Sequence, residues 1–190
     1  MAGSGGADGK TFHRAQGYIG ERVSESLKNI DPAVIDRVLE VLRAAPSTFV
    51  YGAGRSGIIG RAFAMRLVQA GLRAYVIGES VTPIVRHGDA VFILSAQGES
   101  YSSIQTANIV RREGAQLIVL TGNATSKLAH AATLLLPLEF PEDAERARLA
   151  PLGTLFESAS LRLTDGLIAE LAAVRGETEA TMRRRHAIMV

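Results

Sequence analysis

The sequence predicts an α/β protein built on a parallel, doubly wound sheet. Short apolar runs rich in Val, Ile and Leu recur at 48–51, 74–77, 90–95, 116–121 and 133–137, the composition expected of strands covered on both faces. Helical segments lie between them and stop at glycines. Two loops of small and hydroxyl-bearing residues follow the first and third runs. This strand–helix alternation implies parallel pairing through right-handed crossovers.

Taken in order, residues 1–10 are Gly-rich and read as a disordered N-terminus ahead of a single domain over 11–190. Thr11 to Ile30 is helical, with Ile19, Val23 and Leu27 spaced by four. Asp31 and Pro32 then start a second helix, the first as N-cap and the second in the first turn. That helix turns Val34, Ile35, Val38, Leu39 and Leu42 inward and ends near Pro46. Between the strands, helices are expected over Ile58–Ala70 and Ser102–Arg112, with Gly71 and Gly114 as C-caps. A shorter helical segment is expected over Thr125–Ala132. Residues 139–151, bounded by Pro141 and Pro151, read as a loop able to approach the active site. Leu152–Val174 and Glu177–Met189 are expected to close the chain as helices.

Composition narrows the function. The chain of 190 residues, 47% hydrophobic, suits one domain with a full core. A net charge of +2 argues against nucleic acid as the main partner, and the short run Arg183-Arg184-Arg185 reads as a solvated helix face. With no cysteine, disulfides and thiolate metal sites are excluded. No apolar stretch reaches membrane-spanning length, and the start lacks an apolar signal region, so a soluble cytoplasmic protein is expected.

The two loops are Gly52-Ala53-Gly54-Arg55-Ser56-Gly57 and Ser95-Ala96-Gln97-Gly98-Glu99-Ser100. Each joins a strand end to a helix start, where open α/β sheets bind ligands. Backbone N–H groups and the helix dipole there favour a phosphate. The first loop also matches G-x-G-x-x-G, with Glu79 placed where a ribose-binding acid would be, so a dinucleotide is one reading. Nothing else in the chain supplies a hydride-transfer domain, and that reading leaves the second loop unexplained. Another reading is that the glycines only permit tight strand–helix turns.

The strings YGAGRSG and SAQGES, with the order of elements, resemble the sugar isomerase (SIS) domain family from about residue 15 to 190. Within it, GAGRSGIIGRAFAMRL, GESVTPIVRHGD, PLGTLFE and the terminal MRRRHA most resemble the 6-phospho-3-hexuloisomerases. The resemblance implies a flavodoxin-like three-layer αβα sandwich on a five-stranded parallel sheet, assembled as a homo-oligomer, most often a tetramer. It implies interconversion of D-arabino-hex-3-ulose 6-phosphate and fructose 6-phosphate through a cis-enediol, following formaldehyde fixation in the ribulose monophosphate pathway. It also implies a phosphorylated hexulose as the partner, and neither cofactor nor metal.

On that resemblance, Ser95, Gln97, Gly98 and Ser100 hold the phosphate, and Gly54, Arg55 and Ser56 form the first substrate loop. The family's usual second loop is close to SGSGET; here Ala96 replaces Gly, Gln97 replaces Ser, and Ser100 replaces Thr while keeping the hydroxyl. Read without the family, Ser95 and Ser100 are turn and cap residues, Ser56 caps its helix, and Arg55 forms a surface ion pair. Glu157, in PLGTLFE, stands in an otherwise apolar turn beside Leu155 and Phe156. The resemblance makes it the catalytic base, whereas dipole complementarity at a helix start is the bland account. His186, in an R-H-A string, is implied as a proton carrier for the sugar oxygens, in its own or a neighbouring subunit's site; otherwise it is a solvated terminal histidine. Other SIS isomerases and non-catalytic sugar-phosphate sensors share the loops. The segment before the first strand shows no basic recognition face for DNA.

Overall fold

The computed structural model describes residues 9–188. Two helices, α1 (Lys10–Lys28) and α2 (Pro32–Ala44), precede the sheet. Lys10 opens α1, so the disordered N-terminus expected over 1–10 is corrected at its last residue. Residues 1–8 lie outside the described ones. Asp31 caps α2 as expected, its carboxylate accepting from the Ala33 N–H at 2.9 Å.

The sheet elements follow as β1 (Thr48–Gly52), α3 (Arg55–Gln69), β2 (Ala74–Val76), β3 (Ala90–Ser95), α4 (Tyr101–Arg112), β4 (Gln116–Thr121), α5 (Lys127–Ala131) and β5 (Leu134–Pro137). The strands form one five-stranded sheet in the order β2-β1-β3-β4-β5, and every pairing is parallel. The α/β class and the flavodoxin-like order are therefore those expected. Every residue of the central strand β3 is buried. Its side chains alternate: Phe92 and Leu94 enter a core with α1, α2, α3 and the later helix α7 (Thr154–Val174), whereas Val91 and Ile93 enter a second core with α4 and α5. The sheet is thus the middle of three layers, and this two-sided burial is why its strands read as continuous apolar runs. In the larger core Phe63 meets Phe92 edge-on, with centroids 5.0 Å apart, a preferred aromatic geometry.

Helix α3 starts at Arg55 rather than Ile58, and α5 at Lys127 rather than Thr125; three further expectations change. The loop expected over 139–151 contains a one-turn helix, α6 (Arg146–Leu149), because Asp143 accepts from the N–H groups of Glu145 and Arg146, both at 3.0 Å, and starts the turn. Helix α7 begins at Thr154 rather than Leu152, since Leu152 is left-handed with φ of 58°. The closing helix expected over Glu177–Met189 is only α8 (Glu179–Arg183), capped by reciprocal bonds between Thr178 and Thr181. Ionic contacts described below fold the chain back after it, and Met189 lies outside the described residues.

Candidate active site

The chain leaves β1 for one face of the sheet and β3 for the other, although the two strands are neighbours paired from Thr48↔Ala90 to Gly52↔Leu94. Their outgoing loops diverge and open a crevice at this switch point. In the first loop Gly52 and Gly57 lie backbone to backbone: a Cβ on Gly52 would stand 2.8 Å from the Gly57 nitrogen. Gly54 has φ of 57° and serves as N-cap of α3 without a side-chain bond. These glycines therefore answer the steric demand of a tight strand–helix turn. The expected capping by Ser56 is not, because Ser56 lies inside the first turn.

In the second loop Ser95 ends β3, and its buried Oγ accepts from the Gly98 N–H at 3.2 Å. Gly98 has φ of 67°. Ser100 stands at the N-cap of α4 but makes no side-chain cap bond, and its hydroxyl instead meets that of Ser102 at 3.0 Å. Two helices of 15 and 12 residues thus present N-termini without side-chain caps at the same crevice. The free N–H groups of such ends attract anions.

A cleft of about 580 Å³ adjoins the second loop, lined among others by Gln97, Glu99, Asn123, Arg146, Gly153 and Phe156. Gln97 is exposed at its edge. Beside it, Glu157 in the first turn of α7 has a side chain only 13% exposed, and its Oε2 lies 2.5 Å from Arg55 Nη2. The pair is ionic without hydrogen-bond alignment, as Oε2 is buried with no aligned donor. A Cβ on Gly153 would stand 2.7 Å from Glu157 Oε1, so glycine makes the room the carboxylate occupies. The ion pair expected of Arg55 exists, but its partner is the candidate base.

His186 is not part of this constellation within one chain. Arg185 donates to the Gln69 carbonyl at 3.0 Å, at the end of α3 opposite Arg55, roughly 20 Å along the helix axis. His186 is exposed beside a hollow of about 530 Å³ at that far end. Its anchor is Glu177, which accepts from Arg185 Nη1 and Nη2 at 2.8 and 2.9 Å and from Thr181 at 2.5 Å. Those bonds, Arg185 first, hold the Glu177 carboxyl down at about 2. Because this carboxyl is depressed in the folded state, its stabilisation is full above its ordinary value of 4.5 and is lost as pH falls through about 2. Wild type is accordingly expected to melt above Glu177→Gln at pH 6, with the gap closing between pH 4.5 and 2. A gap independent of pH would show that the charge does not hold this segment.

The cleft also contains residues given no site role from the sequence: Arg146, Asn123, Gly153 and Phe156. Asp143, which starts the turn before Arg146, accepts from Tyr18 Oη at 2.9 Å and Arg22 Nη2 at 3.1 Å on α1. Burial pushes Asp143 up, but the bonds from Tyr18 and from the N–H groups of Arg146 and Glu145 outweigh it and leave the carboxyl below its ordinary value.

A family model described as SIS domain matches residues 41–156. A protein of Archaeoglobus fulgidus described only as uncharacterised is 37% identical over 177 residues, covering 89% of this chain and 97% of its own. A protein of Methylomonas aminofaciens named 3-hexulose-6-phosphate isomerase is 33% identical over 179 residues, covering 93% and 98%. A crystal structure from Methanococcus jannaschii, whose inferred function is that of a 3-hexulose-6-phosphate isomerase, superposes with a TM-score of 0.82 at 27% identity, covering 94% and 98%.

Proposed function

The chain belongs to the SIS domain family, and from that premise we propose that it is a sugar-phosphate isomerase interconverting D-arabino-hex-3-ulose 6-phosphate and fructose 6-phosphate. The observation that carries this reading is the Arg55–Glu157 pair at the lip of a crevice where two helices offer N-termini without side-chain caps. The relatives named 3-hexulose-6-phosphate isomerase support the choice of sugar.

The reaction moves a carbonyl between neighbouring carbons. The proton on C2 leaves, a cis-enediol forms across C2 and C3, and a proton returns to C3 while the oxygens exchange theirs. Glu157 takes and returns the carbon-bound proton. Arg55, 2.5 Å from that carboxylate, meets the negative charge that grows on the adjacent oxygen as the proton leaves. The phosphate, held by Ser95, Gln97, Gly98 and Ser100 with the N-terminus of α4, fixes the sugar at a distance from the reacting carbons. Gly54 and Ser56 border the same crevice from the first loop. His186 serves the oxygens from a neighbouring subunit of a homo-oligomer, a tetramer by analogy, since it stands at the far end of α3 in its own chain. No cofactor enters these steps.

The test supplies the purified protein with D-arabino-hex-3-ulose 6-phosphate and reads fructose 6-phosphate through coupled NADPH formation. Turnover at about 1–10³ s⁻¹ is expected. Absence of turnover, with a rise in melting temperature on adding sugar phosphate, would instead point to another sugar or to a non-catalytic sensor. Gln97 in the phosphate loop is the feature that favours the sensor.

A further inference from the structure

The cleft carries a charge arrangement that the proposed mechanism leaves unused. Glu99 and Glu142 both line it, and among its lining residues Arg146 is the sole cation. A dianionic sugar phosphate entering a cleft with two carboxylates requires a positive group, and the second loop offers the neutral amide of Gln97 in place of the family's usual hydroxyl. Arg146 Nη1 is paired with Glu142, whose side chain is 84% exposed, whereas that of Arg146 is 25% exposed. An ion pair with so solvated a partner is worth little. A phosphate offers the planar guanidinium two parallel charge-assisted bonds instead.

We propose that Arg146 binds the phosphate of the substrate from the wall opposite the second loop, leaving Glu142 to do so. The proposal rests on the sugar-phosphate reading given above. The wall is built to hold the arginine. The Asp143 carboxylate accepts from the Glu145 and Arg146 N–H groups with Oδ1, and from Tyr18 and Arg22 with Oδ2. Arg22 also stacks over the Tyr18 ring at 5.4 Å, and Arg14 pairs with Glu145 at 2.5 Å. Helix α1 therefore acts on the cleft without touching it: it fixes the turn from which Arg146 projects. Tyr18, Arg22 and Asp143 are positioning residues, and Arg146 is the binding residue.

The experiment measures KM for the hexulose phosphate together with calorimetric Kd for fructose 6-phosphate and for inorganic phosphate. Arg146→Ala is expected to raise KM and both Kd values by roughly ten- to a hundredfold, with a smaller change in kcat, and Arg146→Lys is expected to recover part of the loss. Glu142→Gln is expected to shift binding the other way, tightening it several-fold by freeing Arg146, a gain that damage to the fold would not produce. Binding by Arg146→Ala within twofold of wild type, or weaker binding by Glu142→Gln, overturns the proposal even if wild type is an active isomerase. If wild type shows no turnover yet binds fructose 6-phosphate, and Arg146→Ala loses that binding, the reaction assignment fails and the Arg146 site stands. Failure of wild type to bind either phosphate overturns both.

Discussion

Glu157→Gln is expected to lower turnover of the hexulose phosphate by roughly 10²–10⁴-fold, the usual contribution of a positioned general base, with little change in stability. Glutamine keeps the shape of the side chain and still presents an oxygen to Arg55, so the 13%-exposed pocket against Gly153 stays filled. It lacks the ability to take a proton from carbon and the charge that pairs with Arg55. The structural loss is small because Arg55 is 63% exposed, and a pair with so solvated a member contributes a few tenths of a kcal/mol. The competing account of Glu157, as an acid placed to complement the α7 dipole, predicts the reverse: a stability loss of about 0.3–1 kcal/mol with turnover retained. Measuring kcat and melting temperature on the same variant separates the two. Near-wild-type kcat would remove Glu157 from the chemistry.

What the sequence shows of this molecule follows the range over which its forces act. Strands β1 to β5 and helices α2, α3 and α4 are legible because burial on two faces and helix caps are written into adjacent residues: Asp31 before Pro32, Gly71 and Gly114 after α3 and α4. The two loops are legible for the same reason, since their glycines answer a local steric demand. The missed parts depend on partners far along the chain. Arg146 enters the cleft because Asp143 is tied to Tyr18, 125 residues earlier. The closing helix stops short because Arg185 returns to Glu177 and to Gln69, the latter 116 residues earlier. Glu157 and Arg55 each stand out singly, but no periodicity states that the first turns of α3 and α7 bring them within 2.5 Å. That requires the packing of two helices on one face of the sheet.

Gly98→Ala is expected to damage both the fold and the phosphate loop. At φ of 67° an alanine costs about 1–2 kcal/mol through its Cβ alone. The added carbon would also collide with the side chain of Ser126. Ser126 cannot move aside freely, because it is buried and its Oγ accepts from the Ala129 N–H at 3.2 Å as the cap of α5. Displacing that cap costs about 1 kcal/mol more. A total near 2–3 kcal/mol lowers the melting temperature of a chain this size by roughly 5–10 °C. Alternatively the second loop lifts off, breaking the Gly98 N–H bond to Ser95 Oγ and weakening substrate binding by tenfold or more, on the order of one charge-assisted bond. The pair Gly98→Ala/Ser126→Gly distinguishes the collision from the backbone strain. Ser126→Gly removes the obstructing atoms at the expense of the cap, so the double variant should be more stable than the sum of the single losses by about 1 kcal/mol, while the left-handed backbone cost remains. Strict additivity would place the whole effect in the backbone of Gly98, and unchanged melting and KM in Gly98→Ala would show that this loop adopts another conformation.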